Sequence, residues 1–242
     1  MLHRRQLLAT AAWLALGGVS AKARVLGGSL PWTPNAGDPP AKVRPGPWHF
    51  FTRDEASAIE ALADRIIPPD PDTPGGKDAG CAVFLDRQLA GPYGRNEGHY
   101  NRPPFMPGAK NFGPQSKTGP AAHYRKWLAA LDKLCRSQHN GKTFADLSDA
   151  DKDRLISDLE GGKSKLEDAD GRVFIDHLIK DIQEGFFADP IYGDNRDMVA
   201  WKMIGFPGAR YNYSDWIDRH NERYPLPPVG MTGRAEWTRK AS

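Results

Sequence analysis

The chain has 242 residues, with 33 Lys and Arg against 30 Asp and Glu, which gives a formal net charge of +3. Three of the basic residues, Arg4, Arg5 and Lys22, lie in the first 23 residues, which contain no acid, so residues 24–242 have no formal net charge. Because binding to phosphate backbones needs a sustained excess of Lys and Arg, this composition argues against a nucleic-acid-binding protein.

The first 23 residues are predicted to be an export signal. Their features are the basic pair Arg4-Arg5, an apolar run over residues 7–19, and small side chains at Ala21 and Ala23, where signal peptidase would cleave. Because the two arginines are adjacent and apolar residues follow them, the segment resembles a twin-arginine leader, which carries folded proteins to the periplasm. The alternatives are a general secretory signal and a retained anchor, although the apolar run is shorter than the roughly 20 residues that span a bilayer.

The next part of the chain is predicted to be extended and then helical. Residues 24–46 are rich in glycine and proline, which predicts an extended N-terminal arm. Thr52 followed three residues later by Glu55 is the pattern of a capping box, so a helix is expected to begin there. A turn-rich stretch over residues 70–80 precedes a short predicted helix over residues 82–90.

Residues 91–119 are predicted to form a long loop. They contain six glycines, five prolines and four aromatic residues, without apolar periodicity. A loop of this length in a compact domain is uncommon and usually either functional or disordered. Its aromatic residues favour an irregular segment that packs on the protein surface.

The second half of the chain is predicted to be helical. Apolar spacing and a capping pattern, Ser148 with Asp151, predict four helices, over residues 120–139, from residue 148 to the Gly161-Gly162 pair, over 169–188 and over 196–204. No run of alternating β-branched residues and no internal repeat is found. The fold is therefore predicted to be mainly α, a single helical domain over residues 47–242 with long loops rich in Pro, Gly and aromatic residues.

The two cysteines, Cys81 and Cys135, leave three interpretations open. In an oxidising periplasm they could form an internal disulfide or a bridge to a partner chain, and otherwise they are buried free thiols. Neither belongs to a Cys-x-x-Cys or Cys-x-x-Cys-His motif, which excludes a thioredoxin-type catalyst and a carrier of haem c.

Four acids have the spacing of calcium ligands but are better explained as a helix start. They are Asp149, Asp151, Asp153 and Glu160. Arg154 stands where a calcium loop needs glycine for its sharp turn, and acids are favourable in the first turn of a helix. No phosphate-binding glycine motif and no His-Glu-x-x-His pattern occurs either.

Residues 185–209 are the most distinctive segment. Glycines here permit tight turns, and aromatic rings lie close to them in sequence. One interpretation is a well-packed corner between two helices, and the other is a surface that docks a partner or shapes a site. The candidate interface residues are Tyr192, Gly193, Asn195, Trp201, Phe206, Pro207 and Gly208.

This segment also carries a family resemblance. Its Asp-Pro-Ile-Tyr-Gly-x-Asn and Trp-Lys-x-Ile-Gly-Phe-Pro-Gly motifs resemble the gluconate 2-dehydrogenase subunit 3 family, the small subunits of membrane-associated sugar and sugar-acid dehydrogenases. Further similar landmarks are Phe50-Phe51-Thr52, Arg65-Ile66-Ile67-Pro68, Gly-Pro-Tyr at 91–93, and Tyr124-Arg125. Together they cover most of residues 48–210.

The resemblance implies a non-catalytic chain with no cofactor of its own. It implies a large flavoprotein partner of the glucose-methanol-choline type that carries FAD and oxidises the sugar, polyol or aldonate. It also implies a multihaem cytochrome c subunit that carries haem c and passes electrons to quinone. The small subunit would escort the flavoprotein through the twin-arginine translocase, so that the complex is periplasmic and associated with the inner membrane.

Two other functions are compatible with the residues alone. One is a free-standing periplasmic enzyme with a site under the 91–119 loop that uses His99, His123 or Asp189. The other is a periplasmic scaffold unrelated to redox chemistry. A flavoprotein that co-purifies with the chain would favour the subunit over both of them.

Overall fold

The computed structural model describes residues 45–98, 102–106, 109, 118–210 and 212–231. The predictions for the leader concern residues outside these ranges, namely Arg4, Arg5, Ala21 and Ala23. The predicted arm over residues 24–46 lies outside them as far as residue 44, and so does His99.

The described part of the chain is built from helices. Seven α-helices occur in it, α1 (Arg53–Ile66), α2 (Gly76–Ala79), α3 (Cys81–Ala90), α4 (Pro120–Gln138), α5 (Asp149–Glu160), α6 (Gly171–Phe187) and α7 (Val199–Ile204). The described ranges contain no β-strand, only the isolated bridges between Leu166 and Ala169 and between Gly208 and Val229. The prediction of a mainly α single domain is therefore confirmed.

The caps read from the sequence define the helix starts. Thr52 Oγ1 accepts the backbone N–H of Glu55, and the Glu55 carboxylate accepts the backbone N–H of Thr52, which completes the capping box of α1. Ser148 accepts the N–H of Asp151 at the start of α5. Helix α2 lies in the stretch predicted to be turns. The sequence did not predict it, because a single helical turn is too short to show a 3.6-residue period.

Helix α6 is the centre of the domain, because it contacts each of the six other α-helices of the described part. Its apolar stripe, Ile175, Leu178 and Ile182, is fully buried. The stripe belongs to the same buried apolar cluster as side chains of α3 and α4, such as Leu85 and Leu131, and α6 contacts both of these helices. Burial of an apolar stripe from every long helix stabilises this arrangement, at about 25 cal/mol per Å² of apolar surface removed from water.

A buried carboxylate on α3 holds the segment that precedes α1. Asp86 is fully buried, and its two oxygens accept the backbone N–H groups of His49, Phe50 and Phe51, each at 2.9 Å. The neighbouring Arg87 forms an ion pair with the same carboxylate. These contacts fix the entry of the chain into α1, across 35 to 37 residues of sequence.

A second buried carboxylate holds the start of the 91–119 loop. Asp181 on α6 accepts the hydroxyl of Tyr124 at 2.6 Å and the hydroxyl of Tyr93 at 3.2 Å. Burial raises the pKa of the Asp181 carboxyl above its ordinary value, although both tyrosine hydrogen bonds oppose the rise.

Within the described ranges, no helix combines the length and the apolar character that crossing a membrane requires.

Candidate functional site

The chain turns sharply between α6 and α7, and the side chain of Asn195 holds this turn. Asn195 is fully buried and has a left-handed backbone, with φ of +42°. Its Nδ2 donates to the carbonyl of Ala188 and its Oδ1 accepts the N–H of Ala200, each at 2.9 Å. One amide therefore joins the residue after α6 to the second residue of α7. We call residues 188–208 the corner.

The far end of the corner is fixed by Trp201 and Gly208. The Trp201 Nε1–H donates to the carbonyl of Phe187 at 2.8 Å, so the indole lies against the end of α6. Gly208 has φ of +80° and pairs with Val229, and a Cβ on it would lie 2.2 Å from the Val229 carbonyl oxygen. Only glycine fits this approach, because the backbone conformation and the space both exclude a side chain.

Residues 223–231, which we call the C-terminal segment, are attached to the corner. Ala209 N–H donates to the Val229 carbonyl at 2.7 Å, and Val229 N–H donates to the Pro207 carbonyl at 3.2 Å. The Asp189 carboxylate accepts the N–H of Ile191 at 3.0 Å and that of Met231 at 2.6 Å. Both Asp189 oxygens are therefore engaged by backbone, which gives this acid a structural role.

A groove of about 400 Å³ lies between the corner and the C-terminal segment. Its walls consist largely of rings, from Trp201, Phe206, Tyr224 and four prolines, together with Lys202, Arg223 and Leu226. Phe206 packs edge-on against Trp201, with ring centroids 5.1 Å apart, and is 43% exposed. Leu226 on the opposite wall is 51% exposed. The groove therefore exposes apolar surface on both walls.

The seven predicted interface residues divide into two groups. Gly193, Asn195, Trp201 and Gly208 are buried and hold the corner together. Tyr192 and Phe206 are exposed, and Pro207 is partly exposed. Both interpretations of the segment thus have residues that fit them, because the buried set forms the packed turn and the exposed set is available for contact.

A fully buried acid, Asp194, lies beneath the corner. Asp194 is fully buried, and neither of its carboxyl oxygens has a hydrogen-bond partner on another residue of the described part. Gly185 on α6 makes room for it, since a Cβ there would lie 2.7 Å from Asp194 Oδ2. Burial raises the pKa of Asp194 to about 9, and the neighbouring Asp189 adds to the rise while Arg196 opposes it. Asp194 is therefore protonated at neutral pH.

Asp194→Asn is expected to reduce the pH dependence of stability. The unfolded chain releases this proton near pH 4, whereas the folded chain holds it to about 9. Between these values the folded state binds a proton that the unfolded state lacks, so stability falls as pH rises. Melting temperatures measured from pH 5 to 9 should fall less steeply for the variant than for wild type. Asp176→Asn, an exposed change on α6, is the control, and equal slopes for all three proteins would contradict the prediction.

Cys81 and Cys135 are both buried free thiols in the structure. Of the three interpretations left open by the sequence, this arrangement corresponds to buried free thiols. Burial raises the pKa of Cys81 strongly and that of Cys135 to about 11. Because the thiolate is the reactive form, both side chains are expected to be inert in the folded protein.

Alkylation of the cysteines is expected only after unfolding. Treated with iodoacetamide without reductant, the native chain should stay unlabelled, and the denatured chain should take up two groups, one on each free thiol. Ser137→Cys, which places an exposed thiol on α4 near Cys135, should react in the native state and so controls for reagent activity. A denatured wild-type chain that takes up no label would instead show a disulfide.

The remaining candidate residues considered for metal binding or catalysis make contacts within the fold. Asp149 and Asp153, which have the spacing of calcium ligands, form ion pairs with Arg65 at 3.1 and 2.6 Å and so join α5 to α1. His123 contacts the Thr118 hydroxyl at 3.1 Å and stacks on Trp127. No group of three or more His, Cys, Asp or Glu side chains within the described ranges is placed to hold a metal ion.

One protein family matches the sequence of this chain. The family model described as gluconate 2-dehydrogenase subunit 3 matches residues 53–208, more than half of the chain. The chain belongs to this family. No curated protein and no solved structure matched it. The resemblance read from the motifs of the gluconate 2-dehydrogenase subunit 3 family is thus confirmed.

The family match runs from the first residues of α1 to the last residue of the corner. It includes the wall of the groove that carries Trp201 and Phe206 and ends at Gly208. The other wall, from Arg223 to Pro228, lies beyond it. Sequence reasoning missed this second wall, although the run Tyr224-Pro225-Leu226-Pro227-Pro228 was a usable signal for a rigid, apolar segment.

Proposed function

We propose that this chain is the non-catalytic small subunit of an FAD-dependent gluconate or sugar dehydrogenase complex. It escorts the flavoprotein subunit through twin-arginine export and supports the folding or stability of that subunit. The observation that carries the proposal is the match of the gluconate 2-dehydrogenase subunit 3 family across residues 53–208. In this proposal FAD belongs to the flavoprotein, and haem c belongs to a multihaem cytochrome subunit.

The corner has the properties expected of a docking surface. Its exposed rings, Tyr192 and Phe206, are carried by a turn that Asn195 and Trp201 hold in place. Aromatic residues on a preorganised backbone lose little conformational entropy on binding and often dominate the energy of an interface. The absence of a formal net charge on residues 24–242 also favours association by apolar contact over long-range attraction.

In this proposal the leader directs the export of a folded complex. A flavoprotein acquires FAD as it folds, so a partner assembled in the cytoplasm needs a route for folded proteins. Arg4 and Arg5 supply the signal for that route on behalf of both chains. After export the complex lies in the periplasm at the inner membrane, where the cytochrome subunit passes electrons to quinone.

Co-expression tests the subunit assignment. The chain is produced alone and together with a candidate flavoprotein subunit, a member of the glucose-methanol-choline class. A yellow, active complex that contains both chains, and a colourless, inactive small chain when it is produced alone, is the expected result. Dehydrogenase activity from the small chain alone would favour the free-standing enzyme, and failure of the flavoprotein to co-purify would favour a scaffold.

A leader variant tests the export role. Replacing both Arg4 and Arg5 with Lys keeps the charge but removes the guanidinium pair that the twin-arginine route reads. Partner dehydrogenase activity is expected to disappear from the periplasm and to remain in the cytoplasm. The control is Lys22→Arg, which alters a basic residue outside the pair. Unchanged export of the partner would show that the leader does not act for it.

A further inference from the structure

The charged residues that line the groove are all basic. Lys202 lies on the corner wall and Arg223 on the C-terminal wall. Both are exposed, and neither forms an ion pair with another residue of the described part. The groove therefore combines ring surface with two cations, which is the chemistry that attracts an apolar segment carrying a carboxylate.

The opposite wall limits how an occupant can be recognised. Pro225, Pro227 and Pro228 have no backbone N–H, so this wall has few donors with which to extend a β-ladder to a peptide. Arg210 braces the wall, with its guanidinium over the Tyr224 ring and a hydrogen bond donated to the Pro227 carbonyl. Recognition must therefore depend on ring surface and side-chain charge.

The segments 24–44 and 232–242, which lie outside the described ranges, have the wrong charge to fill the groove. Residues 24–44 contain three basic residues and one acid, and residues 232–242 contain the same numbers. Either tail would bring positive charge towards Lys202 and Arg223. A second copy of the chain docked face to face would place the same cations against each other.

We propose that the groove binds an acidic and apolar segment of the flavoprotein subunit. An apolar side chain of that segment packs on Phe206, and its carboxylates pair with Lys202 and Arg223. This inference rests on the proposed function, since it names the kind of surface that the partner presents. The charge pair fixes the register of the segment, and the rings supply the buried area.

Zero-length cross-linking of the purified two-chain complex tests the pairing directly. A carbodiimide joins the Lys202 amine to a partner carboxylate as an amide, with loss of water. Mass spectrometry should find Lys202 linked to an Asp or Glu of the flavoprotein. Lys202→Arg, which keeps the charge but has no amine to couple, should lose this cross-link and bind with unchanged affinity. A Lys202 that stays unmodified in the complex, or is linked only within its own chain, would contradict the proposal.

Affinity measurements provide a second test. The double variant Lys202→Glu/Arg223→Glu should weaken binding of the purified flavoprotein by about tenfold or more, because like charges then face each other. Lys126→Glu, an exposed reversal on α4, should bind as wild type does. Wild-type affinity of the double variant would overturn the groove as the docking site while the proposed function stands. A wild-type chain that forms no complex would overturn both.

Discussion

Replacing Asp86 with Ala is expected to lower the free energy of unfolding by about 3 kcal/mol, a large effect for one substitution. The variant removes the acceptor of three backbone N–H groups and leaves that of Phe51, which is buried, without a partner. The freed N–H groups of His49 and Phe50 can reach water more easily, because those residues are more exposed. Denaturant unfolding should show the loss as a lower midpoint with little change in slope.

Two comparisons separate this effect from the loss of an ordinary surface ion pair. Asp86→Asn keeps an oxygen that can accept from Phe50 and Phe51, so it should fall between wild type and Asp86→Ala. Asp132→Ala removes a half-exposed helical acid that pairs with Arg136, and should change stability by less than about 1 kcal/mol. If Asp86→Ala were no more destabilised than Asp132→Ala, the carboxylate would not be what holds the segment before α1.

Replacing Asn195 with Ala is expected to destabilise the chain by about 3 kcal/mol and to weaken binding of the proposed flavoprotein partner. The change leaves the Ala188 carbonyl and the Ala200 N–H without their side-chain partner, and it places alanine at a φ of +42°. Because the two Asn195 hydrogen bonds position the exposed rings of the corner, their loss should raise the dissociation constant of the complex. Thermal unfolding and binding titrations measure the two effects.

Asn140→Ala is the matched control for the backbone part of this effect. Asn140 also has a left-handed backbone, with φ of +54°, but it is exposed. Its replacement should therefore destabilise by only about 1 kcal/mol, the usual preference of asparagine over alanine in this conformation. Binding to the proposed flavoprotein partner should be unaffected. Equal losses of stability in Asn140→Ala and Asn195→Ala would show that the buried hydrogen bonds contribute little.

The parts of the fold that were predictable from the sequence depend on local interactions. The capping box of Thr52 and Glu55 and the cap at Ser148 act over three residues, and the helix starts they predict are observed. Asp86 gave no comparable signal, because its partners lie 35 to 37 residues away and are backbone groups that any residue carries. Long-range acceptors of this kind follow from packing and cannot be read from spacing.

The candidate site was likewise predictable only where the signal is local in sequence. The motif from Tyr192 to Gly208 marked the corner correctly as a special segment, because its glycines and rings are unusual in sequence. Which of its residues face solvent was not predictable, since the turn is irregular and has no period from which to assign a buried face. The groove was missed because its second wall meets the corner through contacts between residues distant in sequence, such as Gly208 with Val229 and Asp189 with Met231.

The pairing of Gly208 with Val229 also separates two roles within one surface. The wall with Phe206 lies inside the range that the family shares, whereas the wall with Arg223 lies beyond it and is joined to the first by backbone hydrogen bonds. Side chains of the second wall can therefore change without disturbing the turn that Asn195 holds. Across the family this arrangement would let partner-contacting side chains diversify on one wall while the other wall preserves the fold.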